Sequence, residues 1–230
     1  MKELQANLVV MVACYLYIIA IILIAGWLKR GVLGAKSSRK FPHSMIGNLP
    51  LIMPFFTQRI FPFLVASPFI LIAFLVTPYS PFPWLAQKLS NLTDITKEGH
   101  QTGLVLYAIS YTALAYFFST RPYIVAAGIF PMAYGDSIAA LVGMRYGKLM
   151  IGSKSFEGCL GMFLDSLISL LLVMLYFSPI YQFNIIDQVT PILAVSFVVT
   201  FVELISPGGL DNATVPVFGA LTFLIAGGGA

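Results

Sequence analysis

Charge is scarce in this chain. Of 230 residues, 13 are Lys or Arg and 9 are Asp or Glu, which makes 10% charged against about 25% in ordinary soluble domains. So few ionic groups cannot cover the surface of a water-soluble protein of this size. With 59% hydrophobic residues and a mean hydropathy of +0.91, the expected solvent is largely lipid, and the same figures exclude disorder. Cysteine is nearly absent as well. Cys14 and Cys159 both fall in apolar stretches without CxxC or Cys/His companions, so neither a disulfide framework nor a zinc site is indicated. The excess of +4 and the pI near 9.1 do not point to nucleic acid, because the basic residues stand between apolar runs and act as topology signals.

What is abundant is long apolar sequence. Charges and Pro/Gly clusters divide the chain into apolar segments near 8–28, 41–58, 60–79, 103–119, 122–144, 158–178, 190–206 and 214–227. The expectation is an all-α, polytopic integral membrane protein of about eight transmembrane helices, forming one domain over 1–230. The first run has no small-residue cleavage site after it and reads as a retained helix. The segment at 41–58 carries Pro42, Pro50 and Pro54 and the last segment is short, so breaks or tilts are expected there. An amino terminus outside the cytoplasm puts Lys29, Arg30, Lys36, Arg39, Lys40, Lys88, Lys97, Arg145, Lys148 and Lys154 on the cytoplasmic side and only Lys2, Arg59 and Arg121 opposite, as the positive-inside rule requires. The sequons at Asn91 and Asn212 then fall inside, and neither is read as a glycosylation site.

The informative residues are polar groups in or beside apolar helices, since an ionisable side chain at depth usually faces a cavity or a partner. Asp136, Glu157, Asp165, Glu203 and Asp211 qualify, as do His43 and the Glu98-Gly99-His100 stretch. Asp136, Ala140, Gly143 and Gly147 recur at i, i+4, i+7 and i+11, one helical stripe with a carboxylate at its deep end, roughly 13 Å inward from Arg145. A packing seam between membrane helices explains such glycines but not the aspartate. In the segment 152–158, Lys154, backbone amides and the amino terminus of the following helix suit a phosphate, or else Lys154 and Ser155 meet the headgroups. Gly147 and Gly152 have the spacing of a Walker A loop, but Ser153 stands where its lysine belongs and no strand precedes it, which excludes a P-loop. The turn residues Pro207, Gly208 and Gly209 return the chain toward Glu203 and bring Asp211 and Asn212 near, an oxygen-rich corner suited to Mg²⁺.

Taken in order, Arg39-Lys40 with His43, Glu98-Gly99-His100, Gly135-Asp136 with Ala139, Gly143 and Gly147, Lys154-Ser155 with Glu157-Gly158, and Glu203 with Asp211-Asn212, Val215 and Pro216 resemble the motifs of the polyprenol kinase family. That family comprises phytol kinases, dolichol kinases and CTP-dependent diacylglycerol kinases, and the likeness is greatest to phytol kinases of photosynthetic organisms. Phe41-Pro42 departs from it, standing where two aliphatic residues are expected.

The resemblance implies a multi-pass membrane enzyme, of a bacterial inner membrane or a thylakoid or plastid-type membrane, that works at the cytoplasmic face. It would transfer the γ-phosphoryl group of CTP, or UTP, to an isoprenoid alcohol, phytol first, with Mg²⁺ as cofactor. Its partners are then a lipid alcohol, a nucleoside triphosphate and the bilayer, with no nucleic acid. It further implies nucleotide binding by Gly135, Asp136, Gly143, Gly147, Lys154, Ser155, Glu157 and Gly158. Because phosphoryl transfer is served by positioning and electrostatics, Arg39, Lys40 and Lys154 are assigned to phosphates and Asp136 and Asp211 to Mg²⁺. Glu157, Glu203, Asn212 and His100 support them, and Asp136 or His43 takes the alcohol proton. Two other functions fit the same residues: a cytidylyltransferase acting on a phosphatidate-like lipid, and an ion-coupled transporter relaying through Asp136, Asp165 and Glu203. The gathering of the acids toward one face argues against the transporter.

Overall fold

The computed structural model describes residues 2–31, 35–77, 79–82, 84 and 102–230, without the side chains of 29–31 and 35–40. Among these residues the chain is almost wholly helical. It divides into two compact units, Met1–Thr120 with Gly208–Ala213, and Arg121–Pro207 with Thr214–Ala230.

The first unit contains α1 (Lys2–Gly31), α2 (Ala35–Ile46), two 3₁₀ turns (Leu49–Leu51 and Met53–Phe55), α3 (Ile60–Ala66), α4 (Pro68–Leu75) and α5 (Gly103–Phe117). In α1, Asn7, Cys14, Ile18 and Ile21 form the buried stripe, while Val9, Leu16, Leu23 and Trp27 line an exposed one. Both recur at helical spacing, and an outer stripe so apolar suits lipid and not water. Three side chains fasten the helix. The Asn7 amide donates to Thr57 Oγ1 at 2.7 Å and its oxygen accepts from the Thr57 amide at 2.9 Å. Tyr15 donates to the Leu64 carbonyl at 2.8 Å, and Tyr17 to that of Met45 at 2.7 Å. α5 packs on α3 and α4.

The second unit contains α6 (Pro122–Phe130), a π turn (Pro131–Gly135) and α7 (Asp136–Tyr146), which run on as one helix, then a two-stranded hairpin, β1 (Met150–Ile151) and β2 (Lys154–Ser155), followed by α8 (Phe156–Tyr181), α9 (Val189–Ile205) and, from Thr214 on, α10 (Asp211–Ile225). Pro131 explains the π turn: its ring clashes with the carbonyl four residues back and it lacks an N–H, and the widened turn absorbs both defects. The Asp136 amide closes it on the Pro131 carbonyl. α6 is buried all round. Met162, Leu170, Met174 and Phe177 of α8, Val195 and Val199 of α9 and Ala220 and Phe223 of α10 complete the interior. Gly219 lets α10 reach the backbone of α6, since a Cβ there would lie 2.8 Å from the Ala127 carbonyl.

Lys2–Leu28, Pro122–Tyr146 and Phe156–Tyr181 are long and apolar enough to cross a membrane, and Ile60–Leu75, Gly103–Phe117, Val189–Ile205 and Asp211–Ile225 are shorter apolar helices. These seven match seven of the eight expected segments. The expected span at 41–58 is corrected. It is not one helix, but the end of α2 followed by two 3₁₀ turns. Pro50 and Pro54 each open one of those turns, and a helix cannot continue through residues that lack an amide hydrogen. α2 itself, of 12 residues, is about 18 Å long, short of the roughly 30 Å hydrocarbon core.

Candidate active site

The polar residues of the second unit assemble around the hairpin and the start of α8. Gly152, at φ 64°, supplies the positive φ that a two-residue hairpin loop requires. The turn pairs Ile151 with Lys154 and Met150 with Ser155, which fixes Lys154 on a short rigid strand. Ser155 is the N-cap of α8, its hydroxyl accepting from the Gly158 amide at 3.1 Å, an arrangement worth about 1 kcal/mol. Glu157 reaches back to accept from the Lys148 amide at 3.0 Å and, at 3.4 Å, from that of Leu149. It thereby ties the hairpin to the helix.

The glycines of the two motifs meet each other. A Cβ on Gly158 would lie 3.0 Å from the Ala139 carbonyl and 3.5 Å from Gly143 Cα, one on Gly143 would lie 3.0 Å from Ser155 Oγ, and one on Gly161 would lie 3.2 Å from Val142. Gly147 and Gly135 are closed in likewise, against Ser155 and Ser166. Gly135, Gly143, Gly147 and Gly158 therefore line a close seam between α7 and α8, the packing that small residues permit between membrane helices.

That seam sets the height of the charged groups. Asp136 follows the π turn as the first residue of α7. Glu203 lies in the last turn of α9 and is buried. A carboxylate oxygen of Asp136 and one of Glu203 lie within 4.8 Å of each other. Lys154 donates from Nζ both to Glu203 Oε1 and to the Glu203 backbone carbonyl, with only 8% of the glutamate side chain exposed. Residues 18 and 49 positions apart from Lys154 thus gather as two acids and one base.

Other expected site residues lie in the first unit or beyond the described residues. Asp211 and Asn212 open α10, the Asn212 amide nitrogen and side chain both donating to Asp211 Oδ1, at 2.9 and 3.0 Å. Gly209 at φ 87° makes the turn before them, and the hydroxyls of Ser206 and Thr214 meet at 2.8 Å, so the chain does return after Pro207. His43 lies against Tyr107, with ring centroids 4.3 Å apart, and Tyr107 meets Tyr111 edge-on. Sequence reasoning missed these tyrosines, since aromatic residues four apart in an apolar helix carry no chemical signal. Arg39 and Lys40 fall on α2, but their side chains, like all of Glu98 and His100, lie outside the described residues.

The chain is 35% identical over 144 residues to a phytol kinase of Synechocystis sp., a match covering 60% of this chain and 60% of that enzyme. The chain thus spans about three fifths of the length of the curated relative it matches. No family model and no solved structure matches.

Proposed function

We propose that this chain, as a relative of phytol kinase, is a membrane-embedded phosphotransferase that moves the γ-phosphoryl group of CTP, or UTP, to the hydroxyl of an isoprenoid alcohol, phytol foremost, at the cytoplasmic face. The observation that carries the proposal is the convergence of Asp136, Lys154 and Glu203 from three separate stretches of sequence. Acids and a lysine held together beside an apolar bundle suit a nucleotide and its cation better than they suit a core.

Carboxylate oxygens are hard donors, and Asp136 and Glu203 are close enough for one Mg²⁺ to bind both. Asp211 is a third candidate ligand on sequence grounds. Mg²⁺, when bound, would neutralise charge on the phosphate oxygens of the transferring group. Lys154, joined by Arg39 and Lys40, would hold those phosphates. Ser155, Glu157 and the seam of glycines keep the hairpin and α8 in register, so that Lys154 is presented on a fixed strand. Asp136 or His43 accepts the proton of the attacking hydroxyl.

Membranes containing the chain are expected to transfer label from γ-labelled CTP to phytol and to release CDP. Release of pyrophosphate instead would identify a cytidylyltransferase. Lys154→Ala and Asp136→Asn should each lower transfer by about 100-fold or more, and unchanged rates in both would overturn the proposal. Running phytol, geranylgeraniol, undecaprenol, dolichol and diacylglycerol side by side ranks the acceptors. Single cysteines at 36 and 150 should react from one side of the membrane and those at 121 and 187 from the other. Those sides require the broken segment at 41–58 to cross the bilayer as the end of α2 and the two 3₁₀ turns, and positions 36 and 121 on the same side would mean that it does not.

A further inference from the structure

Lys154 is placed to be exchanged rather than to stay. Among the described residues its ammonium donates to two acceptors, both on Glu203, and a carboxylate oxygen of Asp136 stands within 4.8 Å of one of Glu203. Two acids so close repel each other unless a cation lies between or beside them. Lys154 supplies one positive charge to this pair, and a divalent cation at the same carboxylates supplies two. The cation and the ammonium are of like charge and would compete for Glu203. The lysine, a compact charge on a flexible four-carbon stem, is the partner able to leave.

We propose that Lys154 is a built-in counterion for the Asp136–Glu203 carboxylate pair, displaced from Glu203 by the divalent cation and thereby made available to the nucleotide's phosphates. This rests on the reading that Asp136 and Glu203 hold the cation. It imposes a binding order: cation first, which frees the lysine, then the triphosphate, which receives it. It also gives Glu203 a positioning role, for the residue that binds the cation is the one that withholds Lys154 until the cation arrives. Coupling of this kind is reciprocal. Whatever factor the cation takes from the hold of Glu203 on Lys154, removal of Lys154 must return to the cation's affinity.

The test uses the full chain in nanodiscs with Mn²⁺ as a spin probe, read by electron paramagnetic resonance without nucleotide. Lys154→Met, which keeps an unbranched stem close to that of lysine but removes its charge, should bind Mn²⁺ about tenfold more tightly than wild type, within the usual range for coupled sites. In the wild-type protein, acylation of Lys154 by an amine reagent, followed by mass spectrometry, should rise several-fold on adding Mn²⁺ and fall again on adding CTP. Equal or weaker Mn²⁺ binding in Lys154→Met, with acylation indifferent to Mn²⁺, would overturn the exchange while leaving the kinase reading intact. Absence of Mn²⁺ binding by the wild type would overturn both.

Discussion

The two units spend their polar side chains differently. In the first, Asn7, Tyr15 and Tyr17 of α1 bond to backbone or hydroxyl groups of the segments beside them, and none of these three is charged. Their work is to hold a helix whose outer stripe is too apolar to be placed by water. In the second, the charged Lys154 and Glu203 bond to each other across 49 positions, while α7 and α8 meet along glycines packed close to backbone. Neutral polar groups fasten α1 in one unit, and the absence of side chains closes the α7–α8 seam in the other. The second arrangement leaves its ionisable groups available for chemistry.

This contrast can be broken, beginning with its largest effect. Asp136→Asn keeps shape and removes a charge, so phosphotransfer should fall by about 10²–10³-fold, the usual cost of losing an electrostatic contributor. Its thermal unfolding in detergent should match that of wild type. Gly158→Val should cost about 2–3 kcal/mol by overpacking, because the neighbour at 3.0 Å is the backbone carbonyl of Ala139, and a displaced seam should lower the transfer rate as well. Asn7→Ala removes the bonds that the buried Asn7 side chain makes to Thr57 and should cost about 1–1.5 kcal/mol in unfolding measurements, with the rate per folded molecule unchanged. If Asn7→Ala impaired turnover as Gly158→Val does, the division of labour between the units would fail. The smallest effect belongs to Ser155→Ala, about 1 kcal/mol, which Ser155→Asp should restore because an aspartate also caps a helix.

Legibility followed the range of the interaction. α1 and α8 were readable because long apolar runs have one solution in lipid, and the structure extends them by a few residues at each end. The segment at 41–58 was readable in part: its prolines announced a break, which falls at Pro50 and Pro54, but hydropathy averaged over a window still counted the stretch as one span. The stripe of Gly143 and Gly147 was legible as a stripe, but its partner, the Gly158 and Gly161 face of α8, required the hairpin that folds one back on the other. Lys154 and Glu203 could each be singled out as charges in apolar surroundings. That they are bonded to each other follows from the placement of α9, which no local pattern encodes.

The π turn at Pro131–Gly135 adds one residue to a helical circuit. Upstream, α6 is enclosed on every side; downstream, α7 has one aspartate to present and most of its residues partly uncovered. The extra residue works as a phase setting: deletion of a single position between 131 and 135 would rotate everything after it by about 100°. Asp136 would turn away from Glu203, and Gly143 and Gly147 would leave the seam together. The bearing of the site is therefore set by a count of residues as well as by their identities, and a frame of the right side chains one residue short would fold a helix of the same length that points its chemistry into lipid.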